Sequence, residues 1–357
     1  GWSACALVFG KLITVLYIGA TIFYFFPNNP EGGFLHLLYA WIIGLLFTLL
    51  ITYIPSRRLA HIRYRFDFDF WKTVIVQALP YGLALILGSI YFRTGSVLMS
   101  FFGMKEDVGM YGVAMRIVEI AVIIPAYFMN SVLPTLTRSL SEAREKTHRV
   151  LQYCFDFMSL AALPVLVGGV ILARPLIAAI SSDEFVSLGA RAGSNTALSI
   201  LLFGMTLVFF HQIFNYTLVA MGKQKYVLLV NLCAATFNVI LNLIFIPRLG
   251  FVGTSYIAVA TELLVLIAGG IFAWKFLAFK PRVILFFKAT LSAVVMGAAV
   301  YFLNEPLRAA LGLKSLFALI PLGALIYLGC LLLLKTFTPE MLAFLKKPKA
   351  HRGAAEV

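Results

Sequence analysis

The sequence predicts an all-α polytopic membrane protein of about ten transmembrane helices. Three observations carry that prediction: the apolar balance of the chain, the length of its apolar runs, and the placement of its basic residues. The 357-residue chain is 61% hydrophobic and 12% charged, with a mean hydropathy of +0.95. A water-soluble domain carries about 25% charged residues, and one core cannot hide this many apolar side chains. Lipid therefore replaces water as the solvent. A helical crossing needs about 20 apolar residues. Ten such runs lie at about 2–26, 34–54, 73–101, 107–136, 151–173, 194–221, 226–247, 251–275, 283–303 and 314–336. The first lacks the basic start and small-residue cleavage site of a signal peptide and is too long for one. The chain starts inside that run without Met, which reads as a piece of a longer protein.

The formal net charge of +14 is distributed as a topology signal rather than as a nucleic-acid footprint. Loops alternate between basic and nearly neutral. The basic ones hold Arg57, Arg58, Arg63, Arg65 and Lys72, then Arg138, Arg144, Lys146 and Arg149, then Lys223 and Lys225. Lys275, Lys280, Arg282 and Lys288 follow, and Lys335, Lys346, Lys347, Lys349 and Arg352 close the series. These are 20 of the 29 Lys and Arg residues, against six in the intervening loops. The positive-inside rule then puts every basic loop, and both ends of the chain, in the cytoplasm. Contact with lipid headgroups is a further use for such loops.

Soluble-enzyme chemistry has no visible home. Cys5, Cys154, Cys233 and Cys330 sit in or beside apolar runs without CxxC spacing, so they read as small packing residues. No Gly-rich phosphate loop, HExxH or nucleophile elbow is present, so no cofactor, metal or catalytic residue is expected. The longest external segment, 174–193, has about twenty residues. The internal segment 55–72, "PSRRLAHIRYRFDFDFWK", is no larger, and its alternating "FDFDFW" suits a stretch lying along the membrane surface. Function must therefore reside among the helices.

Polar side chains within membrane helices are costly and face the bundle interior or a wet cavity. Arg93 lies eight residues before the outer end of its helix and Arg116 nine residues after the start of the next. At 1.5 Å per residue both sit about 12–14 Å deep. The short "GMKED" connection makes these helices antiparallel neighbours, so the arginines meet at one depth, with Glu119 one turn from Arg116. One carboxylate cannot neutralise two guanidiniums. The excess positive charge is a socket for an anion, and a diphosphate suits the guanidinium fork; the alternative is an Arg–Glu brace between helices. Glu262 and His211 lie about 15–16 Å from the ends of their helices and are candidates for a coupling ion, H+ or Na+. Asn231, Asn238 and Asn242 fall within about 40° around one helix. That stripe is either interhelical glue, at about 0.6 kcal/mol per bond, or the lining of a cavity that accepts sugar hydroxyls.

Three stretches carry a resemblance: "IYFRTGSVLMSFFGMKEDVGMYGVAMRIVE" (90–119), "IPAYFMNSVLPTLTR" (124–138) and "NVILNLIFIPRLGFVGTSYIAVATE" (238–262). Together they resemble the polysaccharide transporter branch, the O-antigen (Wzx-type) flippases, of the multidrug/oligosaccharidyl-lipid/polysaccharide exporter superfamily. The resemblance covers roughly 66–340. It implies two six-helix lobes around a cavity, as in MATE-like exporters, here without about four of the first helices. On that template 1–54 would be the last two helices of an incomplete N-lobe and 55–72 the basic cytoplasmic linker between lobes. Residues 73–275 would be a six-helix C-lobe, 276–336 an extra helix pair, and 337–357 a basic cytoplasmic tail.

The implied activity is that of a flippase, not an enzyme. It would move an undecaprenyl-diphosphate-linked oligosaccharide across the bacterial inner membrane by alternating access, in lipopolysaccharide O-antigen biosynthesis. Alternatives are a lipid II flippase or a multidrug/ion antiporter of the same superfamily. A polytopic polysaccharide polymerase or ligase is a further one, disfavoured by the short external segment. Many relatives carry an Asp two residues after the arginine of "YFR"; here that position is Gly95. Arg93 then either is freed for substrate or takes another partner such as Glu119.

Overall fold

The computed structural model describes residues 2–27, 29–59, 67–189 and 191–336. Arg63, Arg65 and the basic tail 337–357 lie outside the described residues. Ten α-helices follow in order: α1 (Trp2–Ala20), α2 (Pro30–Leu59), α3 (Phe68–Phe101), α4 (Lys105–Glu142), α5 (Arg144–Ile171), α6 (Ala173–Ile180), α7 (Ser194–Ala220), α8 (Gln224–Leu277), α9 (Ile284–Leu311) and α10 (Ser315–Leu333). Among the described residues eight helical stretches are long and apolar enough to cross a membrane, and two of these, Gln224–Leu277 and Ile284–Leu333, each hold two of the ten apolar runs. Every run is thus helical. The contacts divide the chain into two units, Gly1–Thr73 and Val74–Val357.

The first unit is a helical hairpin. α1 continues through one π-helical turn, Thr21–Phe25, before reversing into α2. The two helices touch where side chains vanish: a Cβ on Gly10 would collide with Thr48, and one on Gly44 with Thr14. Thr14 and Thr48 return their hydroxyls to the carbonyls of Gly10 and Gly44 at 3.0 and 2.8 Å. Close approach of small residues is how helices associate where lipid removes the hydrophobic drive. The Tyr17 hydroxyl meets His36 Nδ1 at 2.9 Å and adds a polar tie.

The start of α3 shows how the "FDFDFW" stretch is built. Phe68, Phe70 and Trp71 are exposed and belong to the first turn of a helix. Asp67 sets that turn by accepting a hydrogen bond from the Phe70 amide at 3.0 Å, as an N-cap does.

The second unit is a helical bundle whose core is filled by α4, α5 and α7, with Met129, Leu136, Met158, Leu198, Met205 and Phe209 all buried. A smaller core, including Ala293, Met296 and Leu319, seats the α9–α10 hairpin against α5, where the Tyr327 hydroxyl donates to the Leu160 carbonyl at 3.0 Å. α4 runs six residues past its predicted end at 136. Charge holds that extension together: Glu142 accepts from Arg138 at 2.9 Å and from Lys146 at 3.0 Å. The segment 174–193 is not a plain loop. It carries the short α6, and Asn195 fastens it by bonding the Ser187 amide at 2.8 Å and hydroxyl at 3.0 Å.

α8 spans 54 residues, about 80 Å at 1.5 Å per residue, far more than a bilayer's hydrocarbon core of about 30 Å. Gly250 divides it, with φ 55° and ψ −142°, a conformation that side chains with a Cβ rarely adopt. The two halves fold back on each other, because Asn238 reaches Thr261 at 2.9 Å across the bend and Val230 and Ala234 pack on Val265.

Candidate functional site

The turn at Gly103 (φ 75°) reverses the chain from α3 into α4 and sets Arg93 opposite Arg116 and Glu119, as their depths require. Arg93 Nη2 lies 3.4 Å from Glu119 Oε1, and Arg116 Nη1 lies 3.5 Å from Oε2. Each carboxylate oxygen therefore serves one guanidinium at the long end of ion-pair range. The arginine side chains remain 70% and 78% exposed and Glu119 27% exposed. Charges so little covered by their own bundle cannot face hydrocarbon. They face water or another polar surface, and the pairs leave donors on both guanidiniums for a further anion. Gly95 packs directly on the Thr254 methyl, where a Cβ would collide. An acidic side chain has no room there, and Glu119 stands as Arg93's partner.

Arg93 also stands at an apolar groove of about 670 Å³ that runs along α3 from Leu85 to Leu98, with Val239 of α8 as its far wall. Ser89 and Thr94 are the other polar residues lining it. The groove thus pairs a surface suited to an acyl or prenyl chain with a cation.

A second polar cluster is sealed. Glu262 on α8 and His211 on α7 are 7% and 5% exposed, and His211 Nε2 lies 2.9 Å from Glu262 Oε2. The approach is short but off the line of a directed hydrogen bond, so both atoms are left without one. Asn215, one turn beyond His211, has its amide nitrogen 3.2 Å from Nδ1. Tyr91 of α3 and Tyr111 of α4 face the same carboxylate.

The three asparagines part company. Asn231 donates to the Ala84 carbonyl of α3 at 2.8 Å. Asn238 donates to Thr261, and Asn242 donates to the carbonyl and side-chain oxygens of Asn238, all at 2.9 Å. All three are buried. Asn238 and Asn242 line, with Tyr91, Tyr111, Thr254 and Glu262, a cavity of about 30 Å³, room for one or two waters. The side-chain oxygens of Asn215 and Asn242 have no hydrogen-bond partner among the described residues. Buried polar atoms without partners ask for a water, a proton or an ion.

The structure thus joins Arg93, Arg116 and Glu119 at one place. Glu262 and His211, which the sequence offered separately, form one pair. Sequence reasoning missed Tyr91, Tyr111, Asn215 and Thr261. Only Asn215 carried a signal, its four-residue spacing from His211 on one helix face; the others come from helices whose rotation the sequence does not set. Cys154, Cys233 and Cys330 are free thiols.

Comparison with known proteins agrees with this architecture. Residues 80–244 match the model of the MatE family, an interval that includes Arg93, Arg116, Glu119, His211 and the three asparagines but stops short of Glu262. The chain is 27% identical over 175 residues to the "Probable flippase AglR" of Haloferax volcanii, an alignment of 48% of this chain and 35% of that protein. The chain thus spans about a third of the length of this curated relative. Among solved structures it resembles the "Lipid II flippase MurJ, inward closed conformation" with a TM-score of 0.66 at 16% identity, over 92% of this chain and 66% of that one. The fold is that of an all-α polytopic membrane protein, similar over most of its length to that solved structure.

Proposed function

We propose that this chain belongs to a flippase that moves an undecaprenyl-diphosphate-linked oligosaccharide across the bacterial inner membrane by alternating access. The observation that carries the reading is the sharing of Glu119 by two exposed arginines. A cluster with a net positive charge, beside an apolar groove, matches a diphosphate joined to a prenyl chain. The groove takes the chain, Arg93 and Arg116 take the diphosphate, and Glu119 holds the two guanidiniums apart from lipid between cargoes. The Glu262–His211 pair is the coupling site: a proton or small cation entering the 30 Å³ cavity changes the charge between α7 and α8. Asn238 and Asn242 line that cavity in the described conformation, and sugar contact by them requires its wall to open. The segment 55–72 links two lobes on the cytoplasmic side, where both termini also lie.

Export assays test this reading. Arg93→Gln and Arg116→Gln should each reduce export at least tenfold at unchanged membrane level, with Lys restoring part of it because an ammonium lacks the planar fork. Wild-type export by both Gln variants removes the arginines from the substrate site. Expression in cells depleted of their lipid II flippase separates the cargoes. Rescue of growth assigns lipid II, whereas surface oligosaccharide without rescue supports the proposal.

A further inference from the structure

The ends of four helices enclose a polar cavity of about 740 Å³ that the transport reading does not use. α5 lines it along one face through Glu145, His148, Arg149, Gln152, Tyr153 and Asp156. Those positions span about 16 Å at helical rise. The α8–α9 connection supplies Lys280 and Arg282, α9 supplies Ile284, Leu285 and Lys288, and the end of α10 supplies Lys335 and Thr336.

The cavity is built rather than incidental. Gln152 pins its rim: its amide oxygen accepts from the Arg282 amide at 2.7 Å, while its nitrogen donates to the Arg282 carbonyl at 3.0 Å and to Asp156 at 2.8 Å. Lys288 Nζ donates to the Leu334 carbonyl at 2.9 Å and ties α9 to the end of α10. His148 meets the Leu277 carbonyl at 2.9 Å. With that frame fixed, Arg149, Lys280, Arg282, Lys288 and Lys335 face two carboxylates, Glu145 and Asp156. Among the described residues none of the five cations has a carboxylate within ion-pair distance. Two further features point to an anion. α9 begins with no side-chain cap and no acidic residue in its first turn, so its amides and dipole face the cavity that Ile284 and Leu285 line. Thr336, 4% exposed, also lines the cavity, and its hydroxyl has no hydrogen-bond partner among the described residues.

The flank says which anion. Ile284, Phe287, Leu332 and Leu333 are exposed beside the cations. A lipid headgroup seated there can lay its own acyl chains on those side chains, whereas a soluble phosphate makes no use of them. We infer that this cavity is a binding site for the phosphodiester headgroup of an anionic glycerophospholipid, seated among Arg149, Lys280, Arg282 and Lys335 at the amino end of α9, with its acyl chains along α9 and α10. Basic pockets between membrane helices hold anionic headgroups by the same combination of charge and adjoining hydrocarbon. The inference is independent of the transported cargo and survives any revision of it.

Native mass spectrometry of the purified full chain in detergent tests it, with dioleoyl-phosphatidylglycerol, dioleoyl-phosphatidylcholine and inorganic phosphate as probes. The wild type should retain phosphatidylglycerol in preference to phosphatidylcholine. Arg282→Gln with Lys335→Gln, and separately Arg149→Gln with Lys280→Gln, should each weaken that binding about 30-fold, at about tenfold per 1.4 kcal/mol and one such cation worth roughly a factor of five. All four side chains are exposed, so folding is not at stake, and the second pair repeats the test if the first fails to express. Lys225→Gln, at an exposed cation outside the cavity, should change nothing. Equal retention of both lipids, an equal loss with Lys225→Gln, or inorganic phosphate binding as tightly as the lipid overturns the assignment.

Discussion

Glu119 and Glu262 are both carboxylates on membrane helices beside basic side chains, and the protein treats them in opposite ways. Glu119 faces two guanidiniums at 3.4 and 3.5 Å, and both arginines are largely exposed. Glu262 faces one imidazole at 2.9 Å in a site from which solvent is excluded. The first pairing is loose, long and unbalanced by one positive charge, so a better anion can compete for it. The second is tight and enclosed, with room for nothing larger than a water or two. On the proposed reading, exposure and stoichiometry, not residue type, separate the place suited to a large anionic partner from the one suited to a proton or small ion.

The contrast makes stability and transport respond to different substitutions. The largest loss of stability should come from the sealed site. His211→Ala leaves a buried carboxylate uncompensated and should cost about 3–5 kcal/mol, with His211→Leu plus Glu262→Leu recovering most of it. Unfolding by SDS titration in mixed micelles measures both; a cost near zero for His211→Ala breaks the distinction between the two places. Gly250→Ala comes next. It forces a Cβ into a conformation reserved for glycine and against the Asp107 carboxylate, at about 1–3 kcal/mol from the backbone alone, read by the same titration. Asn238→Ala removes the bond to Thr261 and one acceptor of Asn242 and should cost about 1 kcal/mol. If Asn238 touches only the inner cavity, export of two different lipid-linked oligosaccharides should fall equally; unequal losses assign it to the sugar. The smallest effect belongs to the open cluster: Arg93→Gln should change stability by under about 1 kcal/mol, because long, exposed pairs contribute little.

The ten apolar runs were legible because lipid imposes a length and composition on every crossing, and all ten are helical here. The meeting of Arg93, Arg116 and Glu119 was legible for a local reason: a tight turn between antiparallel neighbours converts sequence distance into depth. The pairing of His211 with Glu262 was not, since they lie on α7 and the second half of α8, and their contact depends on helix rotation, which packing sets. The asparagine stripe was legible as a face, but what it faced was not. Three carboxamides on one side of a helix look alike in sequence, and only their neighbours distinguish Asn231, bonded to the Ala84 carbonyl, from Asn238 and Asn242 at the inner cavity. The extension of α4 to Glu142 escaped because its last turn is charged, and i,i+4 pairs rather than apolar periodicity hold it.

The central claim is that the open cluster binds the diphosphate rather than bracing two helices, and the variant carrying both Arg116→Gln and Glu119→Gln tests it most directly. Removing both charges leaves no unpaired ion, so a brace is relieved by the double change. Export of the lipid-linked oligosaccharide is measured at membrane levels matched to the wild type. The account predicts that export stays at the level of Arg116→Gln alone, because the diphosphate has lost a ligand that no compensating change restores. Export at the wild-type level contradicts it.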